Sequence, residues 1–241
     1  MKIAIMGAML EEVAPFLVRD GDEPLLQFFK KYNECRYGGN LYHEATFKGH
    51  DIILAYSKIG KVNATFTAST LIEKFGAEMI LFSGVAGAIN PKLKIGDLIA
   101  ATQLCQHDLD ITAFGHPYGY VPEGAVYVDA SLELLSIAAK VAEEKNINLK
   151  HGIIATGDQF IADNERKAWI KNTFKADALE MEGAAVAVAC DACNVPFFIM
   201  RSISDAADTG AAFDFDEFLK HSAQRSSSFI ISMLDKILAK A

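Results

Sequence analysis

The sequence predicts an α/β fold, a sheet covered on both faces by helices, in a single domain spanning residues 1–241. Two observations predict it. Short apolar strands alternate with helical segments along the whole chain, without an internal repeat, a low-complexity stretch or a linker. Charged residues also follow directly on apolar strands: Glu180-Met181-Glu182 after Ala178-Leu179, and Arg201-Ser202-Ile203-Ser204-Asp205 after Pro196–Met200. Charge at the exit of a buried strand is costly unless something uses it. Open α/β sheets bind ligands just outside the carboxyl ends of their strands.

The elements follow in order. Lys2–Met6 reads as a strand, Gly7-Ala8 as its turn, and Glu11 onward as a helix. Residues 20–40 are polar, glycine-containing and expected to be partly irregular. Leu41–Phe47 and Asp51–Ser57 flank Lys48-Gly49-His50 as a hairpin. Val62–Phe75 has helical spacing, with Gly76 where a C-terminal cap belongs. Met79–Ser83 is a short buried strand, and Gly84-Val85-Ala86-Gly87 reads as the loop after it. Asp97–Thr102 is another strand, and residues 105–124 form a long polar-aromatic loop, of a length usually reserved for function or an interface. Ser131 caps a helix to about Lys145. His151–Thr156 is a strand ending in Gly157-Asp158, and Asp163 opens a polar helix to Phe174. Strand, helix and strand follow through Arg201, and Asp214 with Glu217 has capping-box spacing at the start of a long C-terminal helix.

Composition narrows the function class. The chain is 51% apolar and 22% charged, as a well-packed globular protein is, and its length permits a large core. A net charge of −8 speaks against non-specific binding to nucleic acid or to an anionic membrane. No run of 18 apolar residues crosses a bilayer. Met1–Met6 is a first strand rather than a signal peptide, because Glu11 and Glu12 end the apolar run early. The four cysteines show no disulfide framework, and Cys190-x-x-Cys193 has no second ligand pair at zinc spacing. A reduced, cytoplasmic protein is the economical expectation.

Gly7-Ala8-Met9 before Glu11 and Glu12, the segment Gly84–Gly87, Glu180–Glu182 and Ser204-Asp205 can converge at one sheet edge. Each has a plainer reading. Glu11 and Glu12 complement a helix dipole, Gly84–Gly87 is a tight turn matching no phosphate-binding motif, and Asp205 is a cap or turn residue. For Glu180 and Glu182 a solvated strand end is the weaker reading, because apolar residues flank them. His107-Asp108-Leu109-Asp110 looks like a metal cluster, but no partner ligands stand at recognisable spacing. Phe114, His116, Tyr118 and Tyr120 either line a pocket, meet a second subunit or form a surface aromatic cluster.

Taken together, Met1–Val13, Ser57–Val62, Gly84–Gly87, His107–Gly115, Gly157–Ile161, Glu180–Gly183, Arg201–Asp205 and Phe215–Phe218 resemble the 5′-methylthioadenosine/S-adenosylhomocysteine nucleosidases. The likeness runs in order through nearly the whole chain. Tyr56–Val62 and Ile111–Pro122 look closest to the branch that also cleaves 6-amino-6-deoxyfutalosine, a menaquinone precursor.

The resemblance implies a three-layer α/β/α nucleoside phosphorylase/hydrolase-like fold with a mixed, partly barrel-like sheet, in a homodimer that needs no metal or organic cofactor. It implies cleavage of the N-glycosidic bond to adenine and a modified ribose. Asp205 would protonate the purine at N7, held by Ser204. Phe160 would stack on adenine, and the Ile161 backbone would read its edge. Met181 and Glu182 would hold the ribose, while Glu12, supported by Arg201, would be the base for the attacking water. Met9, Ile59 and Phe215 would line an apolar 5′-substituent pocket, entered by Ile111, Phe114 and Pro122 of the partner subunit. The matched stretches also put Val85, Ala86, Gly87 and Glu180 among the substrate-binding positions. The chain departs from the pattern at Val85, where many members carry a water-holding serine, and at His116, where some carry tyrosine.

The chemistry suits these residue types. Adenine leaves readily only when protonated, and a general acid typically contributes ~10²–10⁴-fold. The ribose develops oxocarbenium character, which a nearby carboxylate stabilises.

Overall fold

The computed structural model describes residues 1–17, 29–207 and 211–239; the side chains of 17, 29–32 and 211–217 lie outside the described set. The elements run β1 (Lys2–Gly7), α1 (Leu10–Leu17), β2 (Phe29–Tyr37), β3 (Asn40–Phe47), β4 (His50–Tyr56), α2 (Lys61–Glu73), β5 (Met79–Ala88) and β6 (Leu98–Gln106). There follow β7 (Tyr127–Asp129), α3 (Leu132–Glu144), β8 (Lys150–Thr156), α4 (Asn164–Phe174), β9 (Ala178–Glu180), α5 (Gly183–Ala192), β10 (Phe197–Asp205) and α6 (Ala211–Leu238).

One mixed sheet organises the chain. β5 is its hub, pairing parallel with β1 and β10 and antiparallel with β9. β10 also pairs with β6, β6 with β8, and β8 with β9. Strands β5, β10, β6, β8 and β9 therefore close a five-strand ring, and β1, β4, β3 and β2 extend from it as an open wing. The barrel-like character expected of the sheet is this ring.

Both faces are covered. Ala4 and Met6 point to a core shared with α2 and α5, whereas Ile3 and Ile5 point to one shared with α1, α3 and α6. That split is the period-two alternation of a strand buried on both sides. The caps behave as their chemistry dictates. Ser131 accepts the Leu134 N–H, Asp163 accepts the Arg166 N–H, and Gly76 takes φ +69° while its N–H returns to the Ile72 carbonyl.

Four expectations need correction. Gly84-Val85-Ala86-Gly87 is not a loop: it is the second half of β5, in register with Arg201–Asp205 of β10. Its small residues answer to neighbours rather than to a turn. A Cβ at Gly84 would lie 2.7 Å from Glu12 Oε1, and one at Gly87 would lie 2.6 Å from Asp205 Oδ1. Likewise Arg201–Asp205 continues β10 instead of following it. Within residues 20–40, Phe29–Tyr37 is a strand that the polar sequence hid, because among the described residues β2 pairs with β3 alone, at the sheet margin; residues 18–28 lie outside the described set. The C-terminal helix starts at Ala211, ahead of Asp214, and the side chains of Asp214 and Glu217 are outside the described residues.

Candidate active site

The carboxyl ends of β1, β5, β9 and β10 surround a cavity of about 320 Å³. Its wall is largely apolar, with Met9, Ile59, Val85, Phe160, Ile161 and Met181 among the lining residues. Four buried acids from different elements also reach it: Glu12 from α1, Glu180 at the end of β9, Glu182 at the start of α5, and Asp205 at the end of β10.

Glu12 is held entirely by main chain. Its Oε2 accepts the Ala8 and Met9 N–H groups at 2.6 and 3.0 Å, and its Oε1 accepts the Val85 N–H at 3.0 Å. Burial raises its pKa above the usual carboxylate value, although the Arg201 charge and those N–H groups oppose the rise. Glu182 accepts the Gly60 N–H at 2.9 Å. Burial and then the neighbouring Glu180 carboxylate push it up to about 8, against the Gly60 N–H and Arg201. Asp205 Oδ1 accepts the Ala207 N–H at 2.8 Å, and the Ser204 hydroxyl lies 2.9 Å from Oδ2.

Behind the cavity lies a buried scaffold. Arg201 is 1% exposed, pairs with Glu180 Oε2 at 2.6 Å, and rests on the Phe82 ring at 4.0 Å. Glu180 Oε2 also accepts the N–H groups of Glu182 and Gly183, while Oε1 accepts the Thr156 hydroxyl. Glu180 thus satisfies the first N–H groups of α5 and points Glu182 into the cavity. Thr156 Oγ1 completes the arrangement by accepting the Ala184 N–H. Arg201 is not in the cavity wall, so its influence on Glu12 is through-space charge rather than contact.

Of the residues singled out in the sequence, Met9, Glu12, Ile59, Val85, Ala86, Gly87, Phe160, Ile161, Glu180, Met181, Glu182, Ser204 and Asp205 line this one cavity. Ile111, Phe114 and Pro122 do not line it. Phe114 closes a 3₁₀ turn (Thr112–Phe114) and is 81% exposed. The backbone of Phe215 lies in α6, and its side chain is outside the described residues.

The chain matches the phosphorylase superfamily over residues 2–235. The chain belongs to the phosphorylase superfamily. It is 53% identical to the aminodeoxyfutalosine nucleosidase of Campylobacter jejuni over 98% of this chain and 100% of that one. It is 38% identical to the 5′-methylthioadenosine/S-adenosylhomocysteine nucleosidase of Bacillus cytotoxicus, with 98% and 100% covered. The native structure of futalosine hydrolase from Helicobacter pylori superposes with a TM-score of 0.93 at 47% identity, covering 98% of this chain and 97% of that one. These relatives make the protein a nucleosidase-type member of the phosphorylase superfamily, an N-glycosyl hydrolase.

Sequence reasoning passed over several parts of this superfamily site. Gln159 and Leu179 also line the cavity, as does Ala8 of the Gly7-Ala8-Met9 segment expected at this edge. Ala8, Met9, Val85 and Gly60 act through N–H groups, which no side chain announces; at Gly60 the only signal is the glycine, at φ +97°. Among the described residues, no group of three or more His, Cys, Asp or Glu side chains stands together at His107-Asp108. Asp108 pairs with Lys61 at 2.7 Å. His107 is buried against Gly157, and burial lowers its pKa to about 4.

Proposed function

We propose that the protein hydrolyses the N-glycosidic bond of 5′-substituted adenine nucleosides: methylthioadenosine, S-adenosylhomocysteine and 6-amino-6-deoxyfutalosine. The products are adenine and the modified ribose. The observation that carries this reading is the convergence of Glu12, Glu182 and Asp205 on one apolar-walled cavity. The relatives' names agree with it, being nucleosidases for exactly such nucleosides.

The roles follow from position and chemistry. Asp205, oriented by Ser204 and the Ala207 N–H, donates a proton to N7 so that adenine leaves neutral. Phe160, in the cavity wall and 49% exposed, stacks on the base, and Ile161 offers backbone to its edge. Glu182 binds the ribose hydroxyls beside Met181 and, when ionised, stabilises the oxocarbenium charge. Glu12, whose raised pKa suits a base working near neutrality, takes a proton from the attacking water. Apolar contacts at Met9, Ile59 and Phe215 bind the 5′ substituent and orient the sugar.

The working form is a homodimer, with Ile111, Phe114 and Pro122 entering the pocket of the partner subunit. Phe114, 81% exposed in the Thr112–Phe114 turn, is accessible to a second subunit. No described helix is long and apolar enough to cross a membrane, and four free cysteines suit a cytoplasmic site of action. The activity fits methionine salvage and, for the futalosine substrate, menaquinone biosynthesis. Incubation with each of the three nucleosides, followed by chromatography for adenine, tests the assignment. Adenine from at least one is expected; none from any of the three overturns it.

A further inference from the structure

The base side and the ribose side of the cavity are carried by segments distant in sequence. Phe160 sits on the segment after β8, whereas the N–H that holds Glu182 comes from Gly60, just before α2. Gly60 supplies no side-chain cap to α2. Instead, the Lys61 N–H is accepted by Asp158 Oδ1 at 2.7 Å, across 97 residues of sequence. Asp158 is therefore a remote N-cap, two residues from Phe160. Its own N–H is fixed in turn by Asp108 Oδ2 at 2.8 Å, and Asp108 Oδ1 takes the Lys61 ammonium at 2.7 Å. The fit is close, for a Cβ at Gly60 would stand 3.0 Å from Asp158 Oδ1.

We propose that Asp158, braced by Asp108, is a positioning residue that interlocks the Phe160 segment with the Gly60 N–H, so that the adenine platform and the ribose carboxylate Glu182 are set together. Asp158 need not touch the nucleoside. It acts by holding the first turn of α2 where the Gly60 N–H meets Glu182. On the nucleosidase reading Phe160 meets the base and Glu182 the ribose, so the interlock spans the bond to be cleaved, where small displacements cost rate. The kinetic consequence rests on the nucleosidase reading above; the structural one does not.

The test combines a double-mutant cycle with amide exchange on the full-length protein. Asp158→Ala is expected to lower kcat/KM for methylthioadenosine by about tenfold to a hundredfold. Asp158→Asn keeps an acceptor for the Lys61 N–H and is expected to stay within about threefold of wild type. In a Glu182→Ala background, which removes the acceptor of the Gly60 N–H, Asp158→Ala is expected to lower kcat/KM by less than it does in wild type. Additive losses, or equal losses in the Ala and Asn variants, overturn the proposal. Amide exchange over residues 59–64 of the unliganded protein is expected to quicken by about fivefold or more in Asp158→Ala but not in Asp158→Asn; unchanged exchange overturns it whatever the substrate. Should Asp158→Ala not fold, Asp158→Leu, which also lacks an acceptor for the Lys61 N–H, takes its place in both measurements. A wild type that releases no adenine sinks the nucleosidase reading and leaves the exchange experiment to decide the interlock.

Discussion

Arg201 and Glu180 form a buried ion pair at 2.6 Å, in which the carboxylate also holds the start of α5. The pair links β10 to β9 across the closed ring. Breaking it leaves one charge alone in the interior, which typically costs about 3–5 kcal/mol. Arg201→Met is therefore expected to lower unfolding free energy by about that much in urea titration. A loss below about 1 kcal/mol would show that the interior tolerates Glu180 unpaired.

Removing the acid should separate chemistry from binding. Asp205→Asn keeps an oxygen for the Ala207 N–H but has no carboxyl proton to give N7. Turnover is expected to fall by about 10²–10⁴-fold while ligand affinity, measured by calorimetry, stays within a few-fold. Normal turnover in this variant would remove Asp205 from the acid's role.

The glycines of β5 offer a sharper probe. Gly84→Ala places a methyl carbon 2.7 Å from Glu12 Oε1 and 3.0 Å from Arg201 Nη1. Overpacking of this kind costs about 1–3 kcal/mol. The Glu12 carboxylate must shift from its N–H groups, so kcat is expected to drop by at least about tenfold with the fold retained by circular dichroism. Wild-type kcat would mean that Glu12 tolerates displacement.

These glycines also mark where the sequence was legible and where it was not. The strands and caps around Lys2–Met6, Ser131, Asp163 and Gly76 could be read directly, because apolar runs and capping chemistry are local signals. Gly84–Gly87 could not, since composition alone does not distinguish a turn from a strand pressed beneath Glu12, Arg201 and Asp205. The charged cavity residues stood out as costly charge beside apolar strands. Their main-chain partners at Ala8, Gly60 and Val85 stayed hidden, because an N–H donor is common to nearly every residue type.

The pH profile should report Glu182. Its pKa of about 8 reflects burial and Glu180, offset by the Gly60 N–H and Arg201, with Glu12 adding to the rise. In the proposed role the ionised form stabilises the oxocarbenium charge, so kcat/KM is expected to climb as pH rises through about 8, and Glu182→Gln to lose that limb. The stability effect has the opposite sign. A carboxyl raised above its unfolded value favours the fold when protonated, so this contribution is present below about pH 4.5 and lost as pH rises through about 8. Wild type and Glu182→Gln should therefore diverge in thermal stability toward alkaline pH, with the glutamine variant holding up better.

The central claim is that a water activated by Glu12 attacks the sugar. Phosphate is not expected to replace it, because the wall carries four buried acids and the nearby Arg201 is already paired with one of them, Glu180. Adenine release from methylthioadenosine, timed in phosphate-free buffer and again with added phosphate, tests this most directly. The expected result is the same rate in both, with free methylthioribose as the sugar product. Release that depends on phosphate and yields a sugar 1-phosphate would contradict it.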